Sequence, residues 1–579
     1  MCDAMHARGP DAAGYWGDSE TPVCLGHRRL AILDLNSRSN QPMVSADGRY
    51  VAVLNGEIYN FRELRRTLES KGVTFRTEGD TELLLELYCR EGHTMLSCLR
   101  GMFALAIWDR QAQAVFLARD PYGIKPLYVG RTAQGWLFAS QVRALIASGL
   151  ISRDLDPLGQ MGFWLFGSIP EPRTWFRDIS AVPAGSWCRI SISGGVSGPY
   201  TYWDIGDCWR EAAENGLSDR DMQDLVRTAV SASVRHHLVS DVPVSLLLSG
   251  GIDSGSLAGH MLDLGCTGTV GITLGFEEFR GTEMDETKLA EKVARQYGIA
   301  HHVRLVSAKE FEADLPRIAG AMDQPSIDGI NTWYASKAVS ELGFKVVLSG
   351  VGGDELFYGY PSFGQIPSLV NWWARLSVVG GAYSSADMVG RLLARATGNP
   401  RWRWVRRQAG SLYGAYWLRR GLFTPDELPA LMGERYSDAV QKLANPESLV
   451  ASMVGAVPRE KAAAVGQMES MAYLRNQLLR DSDWASMAHG VEVRTPLVDA
   501  WLLRDLRPLL HSLAALSGKT LLARSPTLPL LPQVINRKKT GFSVPVQFWQ
   551  EDSVPRTRTN GGSRGWARQV ATAYEESYP

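Results

Sequence analysis

The stretch that most constrains this chain is Ser249-Gly250-Gly251-Ile252-Asp253-Ser254, which follows directly on the apolar run Val242-Pro243-Val244-Ser245-Leu246-Leu247-Leu248. An apolar run ending in a polar turn with two adjacent glycines reads as a strand feeding an anion cradle. The glycines let successive backbone N–H groups converge on one anion, and the serines add hydroxyl donors. Gly255 to Leu262 can open a helix whose N-terminus favours negative charge. Asp253 would repel bare phosphate, so the pattern calls for a divalent cation between the two. Gly-x-x-x-x-Gly-Lys-Ser/Thr occurs nowhere in the chain, so this is not a Walker loop. Taken alone, a Gly-Gly pair after a strand is also an ordinary tight turn.

At 579 residues the chain exceeds one typical core, which predicts two or more domains. Lys plus Arg and Asp plus Glu both number 61, so no overall field points to a nucleic-acid or anionic-membrane partner. An apolar fraction of 45% suits a globular enzyme, no apolar run approaches the length of a membrane span, and Met1 to Glu20 has no signal-peptide core. Seven scattered cysteines with no Cys-x-x-Cys pair argue against a disulfide framework or zinc ribbon and fit a cytoplasmic protein.

Residues 1 to 195 alternate short apolar runs with amphipathic stretches. Val51 to Leu54, Phe103 to Trp108, Ala114 to Ala118 and Trp136 to Ala139 suit strands, with Asp109 to Ala112 a hairpin turn. Phe61 to Lys71 and Thr81 to Glu91 carry leucines at helical spacing, so this half is α+β with antiparallel strands. Residues 196–220, with Gly198-Pro199 and a polar run, read as a connector. Beyond it, residues 221–550 form a second domain. The run ending at Leu248, Val270 to Leu274 and Lys345 to Leu348 are strand-like and alternate with helical stretches at Met284 to Tyr297 and Thr332 to Leu342. That alternation predicts a doubly wound parallel sheet with ligands beyond the strand C-termini. Phe363 to Ala464 is helical in pattern and rich in tryptophan. Within it, Arg401-Trp402-Arg403-Trp404-Val405-Arg406-Arg407 fits either nucleic-acid stacking or an amphipathic surface helix, and the neutral chain favours the latter. Residues 551–579, with Arg556 to Ser563, have too little apolar content to pack and read as a mobile tail.

Ser240 to Val244 before the glycine loop, Ser349-Gly350-Val351-Gly352-Gly353-Asp354-Glu355-Leu356-Phe357 and Ser486 to Arg494 after it resemble the synthetase domain of the asparagine synthetase family. Arg8-Gly9-Pro10-Asp11, Arg28 to Asp34, Asn55-Gly56-Glu57-Ile58-Tyr59-Asn60, Gly79 to Glu82 and Arg119 to Tyr128 resemble its class II glutamine amidotransferase domain. The resemblance covers nearly the whole chain to Trp549. It implies an N-terminal-nucleophile αββα sandwich, followed by an ATP-pyrophosphatase domain with a helical C-terminal extension. It also implies that Arg29, Leu30, Ala31, Ile32, Leu33, Asn55, Gly56, Glu57 and Asp80 hold glutamine, with Asn55 and the Gly56 N–H as oxyanion donors. ATP falls to Leu248, Ser249, Gly250, Gly251, Asp253, Ser254, Ile272, Ser349 and Gly350. Mg2+ falls to Asp253 and Asp354, orientation to Glu355, and neutralisation of charge as the acyl-adenylate forms and reacts to Lys519. Two donors at a strand end facing one developing oxyanion agree with the chemistry. On its own Asn55-Gly56 is a hairpin turn, Glu355 a helix-capping acid and Lys519 a solvated charge.

The implied reaction is amidation of aspartate, with nitrogen from glutamine or free ammonia, by an enzyme with small-molecule partners that can form a homodimer. Two rivals are an amidotransferase or cyclase acting on another carboxylate, and a non-catalytic relative retaining the fold. Two departures bear on the choice. Val351 stands where some family members place an acid that handles the intermediate, and a valine side chain cannot take a proton. Near the chain's beginning, the family sets a strand and a helix between its nucleophilic cysteine and Arg-Gly-Pro-Asp. Here only Asp3 to Ala7 intervene, and five residues span at most about 17 Å. Met1 to Ala7 therefore resembles the end of the family's first helix, with the true start upstream. Cys2 then holds its place by coincidence, and the protein is expected to use free ammonia while hydrolysing glutamine poorly.

Overall fold

The computed structural model describes residues 1–212, 216–378, 382–513, 517–537, 544–546, 549 and 562–578. In the first half the strands are β1 (Ala12–Gly17), β2 (Cys24–Arg29), β3 (Met43–Val44), β4 (Tyr50–Ile58), β5 (Gly101–Asp109), β6 (Ala114–Arg119), β7 (Tyr128–Thr132), β8 (Gly135–Ala139), β9 (Ile179–Ala181), β10 (Ser186–Ser191) and β11 (Val196–Thr201). One antiparallel sheet runs β11-β10-β6-β5-β4-β3, and a second layer is made of two separate sheets, β1-β2 and β8-β7-β9. The central pair β4 and β5 is buried on both faces. Ala52 and Leu54 pack with leucines of the helix Asp80–Glu91, whereas Val51 and Val53 pack with Leu25 and Trp108 toward the other sheets. This is the sandwich that the period-two pattern of those strands requires.

The segment 196–220, read as a connector, is structured over much of its length. β11 pairs with β10 from Ser186↔Thr201 to Ile190↔Val196, and the Trp187 and Tyr200 rings meet at a tilt with centroids 4.6 Å apart. Pro199 is tolerated because β11 is an edge strand with no further neighbour to bond. The helix Ile205–Arg210 follows, capped by the Asp204 carboxylate.

The second half is a parallel sheet of β12 (Val244–Leu247), β13 (Val270–Phe276), β14 (Ala300–Val306), β15 (Val346–Leu348) and β16 (Glu492–Arg494), in the order β14-β13-β12-β15-β16. Chain order reverses between β12 and β15, and such a reversal opens a crevice at the strand C-termini. The sequence pattern did not reveal β14 and β16. β14 is an edge strand whose His301, His302 and Arg304 break any apolar run. β16 is three residues long with two charged side chains, both buried and paired. Helices fill most of the extension, including a continuous rod from Lys461 to Met487 whose middle, Glu469–Leu479, is π-helical.

Of the expected mobile tail, 551–561 lie outside the described residues, and the remainder corrects the expectation. Ser563–Glu576 is a helix burying Trp566, Ala567, Val570, Ala571 and Tyr574. Apolar residues at three- and four-residue spacing give it one core-facing stripe. Tyr574 adds a 2.7 Å bond from its hydroxyl to the Asp323 carbonyl. No helix among the described residues is long and apolar enough to cross a membrane, and the seven cysteines are all free.

The two halves meet across buried charges. Arg8 makes a two-pronged contact with Asp483 at 2.5 and 2.9 Å, and Arg100 Nε donates to Asp499 at 2.7 Å. Arg494, wholly buried, donates to Glu492 at 2.8 Å and to the carbonyls of His237 and Val239 at 2.9 and 2.6 Å. Removing one partner of such a pair strands the other charge away from water. We expect Arg494→Met to lower unfolding free energy by about 3–5 kcal/mol, read from the urea midpoint, whereas Arg504→Met at the exposed Asp505 contact should change it by less than about 1 kcal/mol.

Candidate active sites

A cavity of about 510 Å3 lies between the layers of the first half. Its walls include Arg29 at the end of β2, Asn55, Gly56 and Glu57 on β4, Asp80 at its helix start, and Trp136 to Ser140 along and after β8. The structure thus gathers Arg29, Leu30, Ile32, Leu33, Asn55, Gly56, Glu57 and Asp80 around one space, whereas Ala31 is not part of its wall. Gly56 has φ +128°, and a Cβ there would collide with the Met102 carbonyl, so β4 and β5 approach too closely for any other residue. Asn55 Nδ2 donates to Ser140 Oγ at 3.0 Å.

The charges in this cavity are tuned by burial. Burial pushes Asp80 up to about 6 although it accepts the Ile58 N–H at 2.9 Å. Glu57 is raised well above the usual carboxylate range by burial, then by Asp80 and Glu492. The Arg29 guanidinium is committed elsewhere: it donates to the carbonyls of Leu33 (3.1 Å), Asp34 and Asn36 (2.9 Å) and to Asn40 Oδ1 (2.8 Å), bracing the loop beside the cavity. Cys2, read from the sequence as coincidental, also lines this space, directly beside Gly26. Burial raises its thiol pKa, which lowers the thiolate fraction.

The second site sits at the reversal point of the parallel sheet. β12 runs into Ser249 and β15 into Ser349, and the two strands pair with Leu246 opposite Leu348. The helix after the loop begins at Ile252, earlier than the Gly255 start read from sequence, because Gly251 serves as its N-cap. Asp253 and Ser254 therefore lie in its first turn. Ser254 Oγ accepts the Ser249 N–H at 3.0 Å, and Ser249 Oγ accepts the Gly251 N–H at 3.1 Å, which folds the loop into a closed cup. A Cβ on Gly350 would sit 2.8 Å from that of Asp253, so the loops after β12 and β15 touch. Leu248 and Ile272 form the buried wall alongside, joined by a 2.9 Å bond from the Leu248 N–H to the Ile272 carbonyl.

Lys519, in the helix Gly518–Ala523, closes the site from a segment 266 residues away. Its ammonium donates to Asp253 Oδ1 and lies 2.9 Å from Asp354 Oδ1. Burial works against that charge, but Asp253 and Asp354 outweigh it and raise the pKa. Gly359 is required beside them, since a Cβ would collide with the Asp354 carboxylate and the Lys519 stem. Glu355, behind Asp354, is pushed up to about 7 by burial and then by Asp354. One of its oxygens accepts the Tyr360 hydroxyl at 2.8 Å and the other, Oε2, has no hydrogen-bond partner among the described residues. Tyr360 was not singled out from the sequence, although it follows the Asp354 motif within one turn of chain.

Two carboxylates converging on one ammonium suit a divalent cation equally well. Among the described residues no third His, Cys, Asp or Glu joins them, so further ligands would come from phosphate and water, as magnesium commonly takes them.

Residues 1–203 match the family described as a glutamine amidotransferase domain, and residues 225–562 match the family described as asparagine synthase. The glutamine-hydrolysing asparagine synthetase 1 of Bacillus subtilis is 31% identical over 562 residues, spanning 94% of this chain and 83% of that protein. The chain belongs to the asparagine synthetase family. A putative glutamine-hydrolysing asparagine synthetase of Mycobacterium tuberculosis is likewise 31% identical over 572 residues, spanning 94% of this chain and 83% of its own length. The amidase chyE of Penicillium rubens is 34% identical over 379 residues, 62% of this chain and 54% of that protein. The family thus pairs a glutamine amidotransferase domain with an ATP-using ligase domain, and one of the two sites described above lies in each.

Asp253→Ala and Asp354→Ala should each abolish AMP formation while leaving the circular dichroism spectrum and melting profile near wild type. Magnesium-dependent turnover at the normal rate by either variant would remove that carboxylate from the site.

Proposed function

We propose that this protein activates a carboxylate with ATP as an acyl-adenylate and passes it to ammonia, forming an amide, AMP and pyrophosphate. The observation that carries this reading is the Lys519 ammonium held between Asp253 and Asp354 at the mouth of the Ser249–Ser254 cup. A carboxylate does not react with ammonia unaided, so a mixed anhydride is needed first. The cup's N–H groups and hydroxyls would hold the pyrophosphate, and the adenosine would lie along Leu248 and Ile272. Asp253 and Asp354 would hold magnesium, which when bound supplies charge neutralisation at the phosphates. Lys519 exchanges its carboxylate partners for the oxygens of the reacting phosphate, where its charge offsets what develops as the carboxylate oxygen displaces pyrophosphate. Glu355 Oε2 offers a place for the proton released when ammonia attacks, the task that Val351 cannot perform.

By family resemblance the acceptor is aspartate and the product asparagine. A second reading, another carboxylate, is favoured by Val351. ATP–pyrophosphate exchange across a panel of carboxylates decides between them, and absence of exchange with every one would leave only a non-catalytic role.

Lys519→Ala should cut kcat by about 100-fold or more while changing the KM for ATP by less than about threefold, because the charge is used in the transition state. Glu355→Gln should lower the amidation rate at fixed free ammonia by about 100-fold while sparing ATP–pyrophosphate exchange, because it removes the carboxylate that would take the proton.

Ammonia is expected to be the better nitrogen donor. The Cys2 thiol is held toward its protonated form, and the Arg29 donors are occupied by carbonyls. Cys2→Ala should leave ammonia-dependent AMP formation unchanged. Strong glutamine hydrolysis that disappears in Cys2→Ala would reverse this assignment.

A further inference from the structure

Next to the synthetase site lies a second, larger cavity of about 840 Å3, inside the range of about 300–1,000 Å3 typical of sites for drug-sized ligands. Tyr360 stands on its wall and connects it to the chemistry. Its hydroxyl bonds to Glu355, and the preceding Gly359 packs against Asp354 and Lys519. A molecule bound in the cavity can therefore present one end to the adenylation site while its body fills the rest.

The cavity is cationic. Arg401, Arg419, Arg420 and Arg564 line it, against one carboxylate, Asp328, among the described lining residues. Burial holds Asp328 toward its neutral form. Arg420 is matched by the fully buried Glu469 at 2.9 Å and lies over the rings of Tyr360 and Tyr473, while Arg564 is paired with Glu427. Arg401 is different. Among the described residues its side-chain donors go to neutral oxygens, Asn399 Oδ1 at 3.1 Å and the Arg419 carbonyl at 3.0 Å. Burial, followed by the charges of Arg419 and Arg564, pushes its pKa down to about 10. A half-buried guanidinium facing two others without a carboxylate of its own is a standing cost that a bound anion would relieve.

Resting on the adenylation reading above, we propose that this cavity is the acceptor site. Its ligand is a carboxylate that carries at least one further anionic group, phosphate or carboxylate, on a body larger than a free amino acid. Arg401 and Arg419 would grip the distal anion and Tyr360 would face the reacting end. Aspartate, with its single spare carboxylate on a short chain, would leave most of this volume and charge unused.

The test measures binding and turnover separately on the full chain. Binding of 6-phosphogluconate, tricarballylate and aspartate is followed by calorimetry in wild type, Arg401→Gln and Arg419→Gln. We expect at least one of the two larger anions to bind about tenfold more tightly than aspartate, and Arg401→Gln to weaken that binding by about tenfold or more. Which of the two binds distinguishes a phosphate from a carboxylate as the distal group. Unchanged affinity in both variants, or affinity no greater than for aspartate, overturns the assignment. Arg419 lies exposed at the rim, so its variant remains informative if Arg401→Gln does not fold. AMP formation with ammonia is the second readout. Binding through Arg401 with no AMP from any carboxylate defeats the adenylation reading but leaves a polyanion site. Turnover of aspartate with no Arg401-dependent binding defeats the cavity assignment alone.

Discussion

Arg494 is the contact on which both halves of this molecule depend. Its carbonyl accepts the Ser349 N–H at 2.8 Å, which fixes the loop after β15, while its side chain crosses toward the amidotransferase half. There it lies over Tyr59 and 3.9 Å from Glu57, too long for a hydrogen bond. Its true counter-charge is Glu492 on the same strand, which also faces Lys125 at 3.5 Å. Burial holds Glu57 toward its neutral form, and Arg494 donates further to the His237 and Val239 carbonyls. An arrangement so fully buried holds the two cavities in one relative position, since any sliding would expose unpaired charge to an apolar surface.

The same logic governs the synthetase site. Lys519, Asp253 and Asp354 come from three separate segments and satisfy one another. The cup after β12 likewise satisfies its own serines. On the reading proposed above, phosphate oxygens and a divalent cation would replace these internal partners with interactions of the same kind. Glu355 is set apart by an oxygen with no hydrogen-bond partner among the described residues, and on the reading proposed above that oxygen would take the proton.

Much of the architecture was written locally. Val51 to Leu54 and Phe103 to Trp108 are apolar throughout because both faces of their sheet are covered, and the Ser-Gly-Gly turn after Leu248 marked the strand-to-helix junction found there. The separated motifs then gave the family. Local signals failed where tertiary context supplied the stability. β14 lies on an edge and tolerates histidines, β16 is too short to show a period, and β11 extends a sheet through a Gly-Pro step that reads as a loop. The C-terminal helix was hidden behind a polar stretch, although its own apolar stripe was present.

The sequence by itself determined which chemistry the chain can attempt, because a strand, a Ser-Gly-Gly-x-Asp-Ser turn and a lysine in the right order carry their donors and charges with them. Only the tertiary structure decided what surrounds those groups. It brought Lys519 across 266 residues to two acids, turned the Arg29 donors onto a loop, and set Cys2 in a cavity that raises its pKa. It also gathered Arg401, Arg419, Arg420 and Arg564, from three segments, around one space beside Tyr360. Burial and the distances between charges remote in the chain belong to the packed molecule, and no local pattern of residues encodes them.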